Sequence, residues 1–117
     1  LIQKGASAVF TEEGQRQIRE GIQIYKKNGR CLTEVLDRLG IWYCGGKNAP
    51  YIWMKCPNGM GSWEFFDYLL NEIQVVGTPG EGFGACGEGY FRFSTFGSPE
   101  DTKEAAGRLE LLLQKLL

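Results

Sequence analysis

The chain has 117 residues, of which 43% are hydrophobic and 23% are charged, and its formal net charge is −1. This length suits one domain with a buried core, and the near-neutral charge provides no basic surface for nucleic acid or anionic lipid. No apolar run approaches the roughly 20 residues of a membrane span, and the first ten residues lack the layout of a signal peptide. We therefore expect a single domain over residues 1–117, with no nucleic-acid partner and no membrane partner.

Histidine is absent, and the four cysteines (Cys31, Cys44, Cys56 and Cys86) form no C-x-x-C pair. These absences exclude His-based triads and the usual ligand spacing of zinc sites. Scattered cysteines in partly apolar segments are typical of reduced core thiols in a protein from a reducing compartment. We predict four reduced thiols and no metal site.

The first third of the chain is predicted to form two helices. Thr11 is a hydroxyl N-cap followed by two acidic residues, which suit the positive end of a helix dipole, and Asn28-Gly29 is predicted to end or kink this helix. The second helix would end at Gly40. Each helix has one apolar stripe, interpreted as core packing. The stripes comprise Ile18, Ile22 and Tyr25 in the first helix, and Leu32, Val35, Leu36 and Leu39 in the second.

The middle of the chain predicts a pair of strands and a helix. The strands cover residues 41–44 and 51–56, on either side of a glycine-containing loop, and Ser62 is predicted to cap the helix. Residues 74–76 are predicted to form a further strand. The apolar face of the helix comprises Trp63, Phe66, Leu69, Leu70 and Ile73.

The last helix has a strong start signal at residues 98–101, which combine a serine N-cap, a proline at the first helical position and two acidic residues. With a strand predicted over residues 89–96, the order is α-α-β-β-α-β-β-α. This order favours an α+β domain with a small, mainly antiparallel sheet and helices packed on one face.

Residues 75–97 are the most informative segment, because they combine a glycine-rich turn with an isolated arginine. Side chains alternate along the predicted strand, so Arg92 shares a face with Tyr90 and Ser94, opposite Phe91 and Phe93. A cation among aromatic and hydroxyl groups, beside a glycine loop, suits a small anionic group. From the spacing alone, a solvated arginine on a half-buried strand is the commoner situation, and that alternative stays open.

The same segment contains a G-x-G-x-x-G pattern at Gly82, Gly84 and Gly87. This pattern indicates dinucleotide binding only when its last glycines open a helix whose N-terminus meets the pyrophosphate. Here an aromatic, period-two segment follows, and no acidic residue stands where ribose recognition would require one. We reject a Rossmann site.

Two motifs of this segment match a known family. Residues 79–84 fit a P-G-x-x-F-G turn, and Arg92-Phe93-Ser94 fits the R-x-S strand that follows it. Together with the preceding aromatic strand and helix, the chain resembles the C-terminal small domain of class I pyridoxal-phosphate aminotransferases. Within that family, residues 45–53 (GGKNAPYIW) and 91–97 (FRFSTFG) resemble the LL-diaminopimelate aminotransferases in particular.

The resemblance implies amino transfer between LL-diaminopimelate and 2-oxoglutarate in lysine biosynthesis, by a fold-type I homodimer that uses pyridoxal 5′-phosphate. In the family, the arginine of the R-x-S strand binds the substrate α-carboxylate, and Arg92 is the matching residue. A planar guanidinium binds a carboxylate through two parallel hydrogen bonds, which lysine cannot reproduce. Gly80, Gly82 and Gly84 are expected to let the backbone turn tightly and approach its neighbours.

The resemblance also implies that the chain, which begins without Met, is part of a longer protein. In the family, the Schiff-base lysine and the other cofactor-binding residues belong to a large domain upstream. Lys47, Lys55 and Lys103 are interpreted as solvated charges. We therefore expect no catalytic residue and no covalently bound cofactor in this chain, which would work with its own large domain. The expected location is the bacterial cytoplasm, or the plastid if the source is a plant.

Two alternatives remain open at this point. One is the small domain of another class I aminotransferase, acting on aspartate, alanine or aromatic amino acids. The other is a non-catalytic regulatory domain of ferredoxin-like type that binds a free amino acid. A lysine-bearing cofactor domain in the same polypeptide would distinguish the first from the second.

Overall fold

Four helices and four strands follow one another in a computed structural model that describes residues 1–117. The helices are α1 (Ile2–Ser7), α2 (Glu12–Arg38), α3 (Ser62–Ile73) and α4 (Pro99–Leu116). The strands are β1 (Tyr43–Gly45), β2 (Tyr51–Lys55), β3 (Thr78–Pro79) and β4 (Tyr90–Ser94). Single 3₁₀ turns cover Ala8–Phe10, Pro57–Gly59, Gly80–Phe83 and Ala85–Gly87.

The strands form one sheet in the order β1-β2-β4-β3, and every neighbouring pair is antiparallel. One face of the sheet is fully buried against the helices and presents Ile52, Met54, Phe91 and Phe93. The predicted α+β domain with a small antiparallel sheet is therefore confirmed. The alternation predicted for β4 is also confirmed, because Phe91 and Phe93 face the core and Arg92 faces the other way.

The residues that α3 buries differ in part from its predicted apolar face, whereas those of the second half of α2 agree with the prediction. In α3, Phe65 and Leu69 are fully buried, whereas Trp63 and Leu70 of the predicted face are exposed. Phe65 was missed because it lies one position off the predicted stripe. It packs edge-on against Phe91 of β4, with ring centroids 5.1 Å apart. In α2, the predicted stripe that begins at Leu32 does enter the core.

The predicted break at Asn28-Gly29 is wrong, because α2 continues through both residues as a single 27-residue helix. Asn28 is only 2% exposed, and its side-chain amide donates to the carbonyl oxygens of Thr95 (3.0 Å) and Gly97 (2.8 Å). Gly29 faces the backbone of Gly46, and a Cβ at residue 29 would lie 3.0 Å from that carbonyl oxygen. The pair therefore attaches the helix to the end of β4 and to the loop before β2.

The predicted burial of Ile18, Ile22 and Tyr25 is also wrong, since all three are more than one-third exposed. The N-terminal half of α2 extends beyond the sheet, and α2 contributes no core residue before Asn28. This projection makes the molecule elongated: the Cα radius of gyration is 16.4 Å, against about 13 Å for a compact domain of this length. The helical period was identified correctly, but the rest of this chain covers the stripe only in part.

Two local assignments around α3 also need correction. Gly61, not Ser62, is the N-cap, because the Ser62 side chain binds Glu88 of the glycine loop. Residues 74–76 form no strand: Gln74 ends α3 in the left-handed conformation (φ 52°), and pairing with β4 starts only at Thr78. The polypeptide needs these residues to turn from the helix into the sheet.

The four cysteines are free thiols, but they do not share one environment. Cys56 is buried, Cys31 is half-buried, and Cys44 and Cys86 are exposed, so only one of them is a core residue as predicted. No helix combines the length and hydropathy that crossing a membrane requires. No cluster of three or more acidic, cysteine or histidine side chains is arranged to hold a metal ion.

We predict that Asn28→Ala lowers the free energy of unfolding by roughly 2–4 kcal/mol, because it leaves two inward-facing carbonyl groups without a donor. Urea unfolding followed by circular dichroism measures this change. Asn71→Ala, an exposed substitution on α3, is the matched control and should shift the midpoint little. Equal midpoints for the two variants would contradict the attachment role of Asn28.

A second prediction concerns thiol reactivity. Burial, with a smaller contribution from the nearby charge of Glu88, raises the pKa of the Cys56 thiol to about 12. At pH 8 iodoacetamide should therefore modify Cys44 and Cys86 in the native protein, and Cys56 only after denaturation. Peptide mass spectrometry over a time course measures the order. Cys56 reacting as fast as Cys86, or a pair of cysteines that resists alkylation after denaturation, would contradict this prediction.

Candidate ligand-binding site

Arg92 lies near the middle of the sheet, on the face opposite the helices. Its strand β4 is the inner strand between β2 and β3, and its Cα is paired with Trp53 on one side and Thr78 on the other. The side chain is half-buried. The neighbouring strands β2 and β3 therefore hold the backbone of Arg92 from both sides, while its side chain lies on the face without helices.

Two aromatic rings contact the guanidinium. Its central carbon, Cζ, lies 4.3 Å from the ring centroid of Tyr51 and 4.6 Å from that of Phe83. Tyr51 belongs to β2, and Phe83 belongs to the 3₁₀ turn after β3. Both distances are within the range in which an aromatic face attracts a cation.

No acidic group neutralises this cation. Arg92 takes part in none of the four ion pairs of the structure. Its Nε–H group is buried and has no hydrogen-bond acceptor. Buried donors in proteins are nearly always paired, so this unpaired guanidinium donor distinguishes Arg92 from the other arginines of the chain. A planar anion such as a carboxylate matches the donor geometry of a guanidinium.

The glycine-rich loop that carries Phe83 is closed by its own backbone. Gly80 and Gly87 approach each other so closely that a Cβ on either residue would overlap the carbonyl oxygen of the other. Gly84 has a φ of 118°, which side-chain-bearing residues rarely adopt, whereas a Cβ at Gly82 would meet open space. The predicted role in a tight turn is therefore confirmed for Gly80 and Gly84 and wrong for Gly82.

A carboxylate attaches the same loop to helix α3. The backbone N–H and the hydroxyl of Ser62 donate to the two carboxylate oxygens of Glu88, at 2.9 and 3.0 Å. The Ser62 hydroxyl in turn accepts from the backbone N–H of Glu81 (3.3 Å). The backbone N–H of Ser62, followed by its hydroxyl, holds the pKa of Glu88 below its usual range. Both ends of the loop are thus linked to one buried serine.

Further aromatic rings extend the surface around Arg92 in two directions. On one side, Trp53 stacks on Tyr90 with centroids 5.6 Å apart, and Trp42 meets Tyr90 edge-on. On the other side, Tyr51 contacts Phe96, and Phe96 contacts Tyr25 of α2. Arg92 therefore belongs to a continuous aromatic surface that runs from Trp42, just before β1, to the projecting half of α2.

A cavity of about 340 Å³ lies at the α2 end of this surface, and Arg92 does not line it. Its lining includes Tyr25, Lys26, Lys47, Asn48 and Phe96. The unpaired cation and the cavity are distinct features. They are connected by two rings in contact, Tyr51 against Arg92 and Phe96 at the cavity wall.

Sequence reasoning identified Arg92 but not its aromatic neighbours. The alternation along β2 places Tyr51 and Trp53 on one face. Pairing β2 with β4 puts that face beside Arg92, so the sequence pattern could have predicted these two neighbours. The contact from Phe83 could not be deduced in this way, because it depends on how the loop folds over the sheet.

The sequence and the fold of the chain both match known proteins. The model of the family described as aminotransferase class I and II matches residues 1–109. The LL-diaminopimelate aminotransferase of Azobacteroides pseudotrichonymphae genomovar. CFP2 is 55% identical over 114 residues, which are 97% of this chain and 28% of that protein. The chain therefore spans little more than a quarter of the length of the curated relatives it matches.

Solved structures share the fold. The L,L-diaminopimelate aminotransferase from Chlamydomonas reinhardtii matches with a TM-score of 0.90 and 38% identity, over 95% of this chain and 27% of that one. The aromatic aminotransferase from Pyrococcus horikoshii OT3 matches with a TM-score of 0.85 and 29% identity, over 95% of this chain and 30% of that one. Since the family model covers almost its entire length and enzymes of this kind share its fold, the chain belongs to the class I and II aminotransferases.

Proposed function

We propose that residues 1–117 are the C-terminal small domain of an LL-diaminopimelate aminotransferase, in which Arg92 binds the α-carboxylate of the substrates. The observation that carries this proposal is the orphaned guanidinium: its Nε–H is buried without an acceptor and no acidic side chain pairs with it. Such a group is available for two parallel, charge-assisted hydrogen bonds to a carboxylate.

The substrate assignment rests on the pattern of similarity. Relatives named LL-diaminopimelate aminotransferase are 55% and 51% identical to the chain over the 114 and 113 residues that match, whereas the similar aromatic aminotransferase is 29% identical. We therefore favour LL-diaminopimelate and 2-oxoglutarate as the amino donor and acceptor, in lysine biosynthesis. An aminotransferase for aspartate, alanine or aromatic amino acids is the alternative, since Arg92 would serve any amino acid. Family membership argues against a purely regulatory domain.

Both half-reactions of an aminotransferase use a substrate with an α-carboxylate, so one arginine can serve both. Arg92 would bind and orient that carboxylate, while the surrounding rings reduce its contact with water. Closure of the small domain over a bound substrate would bring this group towards the reacting atoms and exclude solvent.

Pyridoxal 5′-phosphate, which the family uses, supplies the electron sink for amino transfer when it is bound. The lysines of this chain do not fit its covalent attachment. All seven lie at exposed positions, whereas a Schiff-base lysine is activated by desolvation or by a neighbouring cation inside a site. We therefore assign the attachment lysine, and catalysis itself, to a large domain of the parent protein.

The projecting half of α2 is where that large domain would pack. Ile18, Ile22 and Tyr25 form an exposed apolar stripe, with Ile22 exposed by 43%, and the stripe borders the 340 Å³ cavity. A stripe of this kind at helical spacing requires a partner surface. The relatives are long enough that nearly three-quarters of such a protein lies outside this chain and could supply that partner surface. In the proposed assembly, the parent protein forms a homodimer.

The proposed location is a reducing compartment, either the bacterial cytoplasm or a plastid. The four unpaired thiols, two of them exposed, are compatible with that environment.

We predict that Arg92→Lys in the full-length enzyme raises KM and lowers kcat/KM for both the amino-acid and the oxo-acid substrate. Lysine keeps the charge but loses the planar pair of donors. Arg92→Ala should cost more, roughly 2–5 kcal/mol of transition-state stabilisation. Steady-state kinetics of each half-reaction, with circular dichroism to verify folding, measure these effects.

Arg108→Lys is the matched control, because Arg108 is an exposed residue of α4 and its side chain contacts Glu104 and the Ile73 carbonyl oxygen instead of the open sheet face. Its kinetics should equal those of the unmodified enzyme. Unmodified kinetics for Arg92→Lys as well would show that Arg92 is a surface residue. Loss of folding without a separable kinetic effect would indicate a structural role.

A further prediction locates the cofactor-binding lysine. Reduction of the full-length, cofactor-loaded enzyme with borohydride, followed by peptide mapping, should find one stoichiometric phosphopyridoxyl-lysine outside residues 1–117. The seven exposed lysines of this chain should show only traces of label. Stoichiometric label on any of them would refute the proposed division between the two domains.

A further inference from the structure

We propose that Tyr51 and Phe83 are positioning residues, which hold the guanidinium plane of Arg92 ready for a carboxylate without occupying its hydrogen-bond donors. This inference rests on the proposed role of Arg92 as the carboxylate anchor. Its observations are the two ring contacts, at 4.3 and 4.6 Å, and the lack of an acceptor for the buried Nε–H.

An arginine side chain has several rotatable bonds, and its freedom must be restricted before it can bind a ligand in one geometry. A neighbouring carboxylate is the usual means. At an anchor, however, such a carboxylate would occupy the same donors as the substrate and partly neutralise the charge that attracts it.

Aromatic rings avoid this competition. A guanidinium interacts with an aromatic ring through its flat face, whereas its N–H donors lie in the plane and point outward from the edge. Tyr51 and Phe83 can therefore restrict the plane while both terminal nitrogens stay free for a ligand. Arg92 forms no ion pair with any side chain. The two ring contacts are therefore the interactions that orient its guanidinium.

The two rings are themselves held in place. Tyr51 packs edge-on against Phe96, with centroids 5.8 Å apart. Phe83 packs edge-on against Trp53 at the same distance, on a loop closed by the contact of Gly80 with Gly87. Phe83 is nevertheless 54% exposed, so its ring contributes little to the hydrophobic core. This exposure is difficult to explain by core packing and is expected of a residue that covers a ligand-binding group.

The test uses the full-length, cofactor-loaded enzyme and its Phe83→Leu and Tyr51→Leu variants, which keep apolar volume but lose the aromatic face. The probe is glutarate, an unreactive analogue of 2-oxoglutarate, and its Kd is measured by calorimetry beside KM and kcat for both substrates. We expect each variant to raise the Kd of glutarate and both KM values by roughly threefold to thirtyfold, with a smaller change in kcat.

Variants that retain the ring separate this role from simple packing. Phe83→Tyr and Tyr51→Phe keep an aromatic face and should bind glutarate within about twofold of the unmodified enzyme. Trp63→Leu is the matched control, because Trp63 is similarly exposed (52%) but lies on α3 and contacts Phe66 instead of Arg92. It should leave both Kd and KM unchanged.

The outcomes distinguish this inference from the proposed function. If Arg92→Lys binds glutarate like the unmodified enzyme, the anchor role fails, and the positioning role fails with it. If Arg92→Lys weakens binding but both leucine variants bind normally, only the positioning role is overturned. Equal weakening by Phe83→Leu and Phe83→Tyr would also overturn it. Melting curves identify a variant that fails to fold, and the substitutions at the other position then decide the outcome.

Discussion

A half-buried guanidinium without an acidic partner has to be stabilised by other means, and in this chain the means are aromatic faces. Removing a charge from water is costly unless it is paired or placed against groups that attract it. The outer face of the sheet meets this requirement with Tyr51 and Phe83, and it leaves the hydrogen-bonding edge of Arg92 unoccupied. The unpaired charge thus gives a physical reason for aromatic residues at positions 51 and 83.

The position of that charge is fixed by two polar attachments, one at each end of β4, each of which involves one buried residue (Ser62 or Asn28). Before the strand, Glu88 accepts two hydrogen bonds from Ser62 at the start of α3. After the strand, Asn28 of α2 donates to the carbonyl groups of Thr95 and Gly97. A strand held at both ends cannot slip in register, and a slip of one residue would move Arg92 from the open face into the core. The fold and the site therefore depend on the same hydrogen bonds.

The attachment at Glu88 also has a defined pH dependence. Because the pKa of Glu88 is lowered in the folded state, its contribution to stability is fully present above the pKa it has in the unfolded chain. That contribution is lost as the pH falls through the lower, folded-state pKa. Near neutral pH the carboxylate is ionised, so its hydrogen bonds to Ser62 hold the loop that carries Phe83 over Arg92.

Much of this arrangement was accessible from the sequence, because it depends on local rules. The period of two along β4 predicted which face Arg92 occupies, and the serine-proline start of α4 predicted its first residue. The prediction of a break at Asn28-Gly29 was wrong because both residues often end helices. Here they lie inside α2, where each makes a tertiary contact with another part of the chain. The contact of Phe83 with Arg92 is likewise tertiary, and no spacing in the sequence encodes it.

The error at Ile18, Ile22 and Tyr25 has a different cause and is more informative. Their helical spacing was identified correctly, but the helix carries them beyond the sheet, where this chain covers them only in part. Tyr25 contacts Phe96, Phe96 contacts Tyr51, and Tyr51 contacts the guanidinium of Arg92. A large domain packed on the stripe would therefore touch the same row of rings that ends at Arg92, the proposed carboxylate anchor. Domain packing and carboxylate binding would then share one aromatic surface, which gives the exposed stripe of α2 a reason to be apolar.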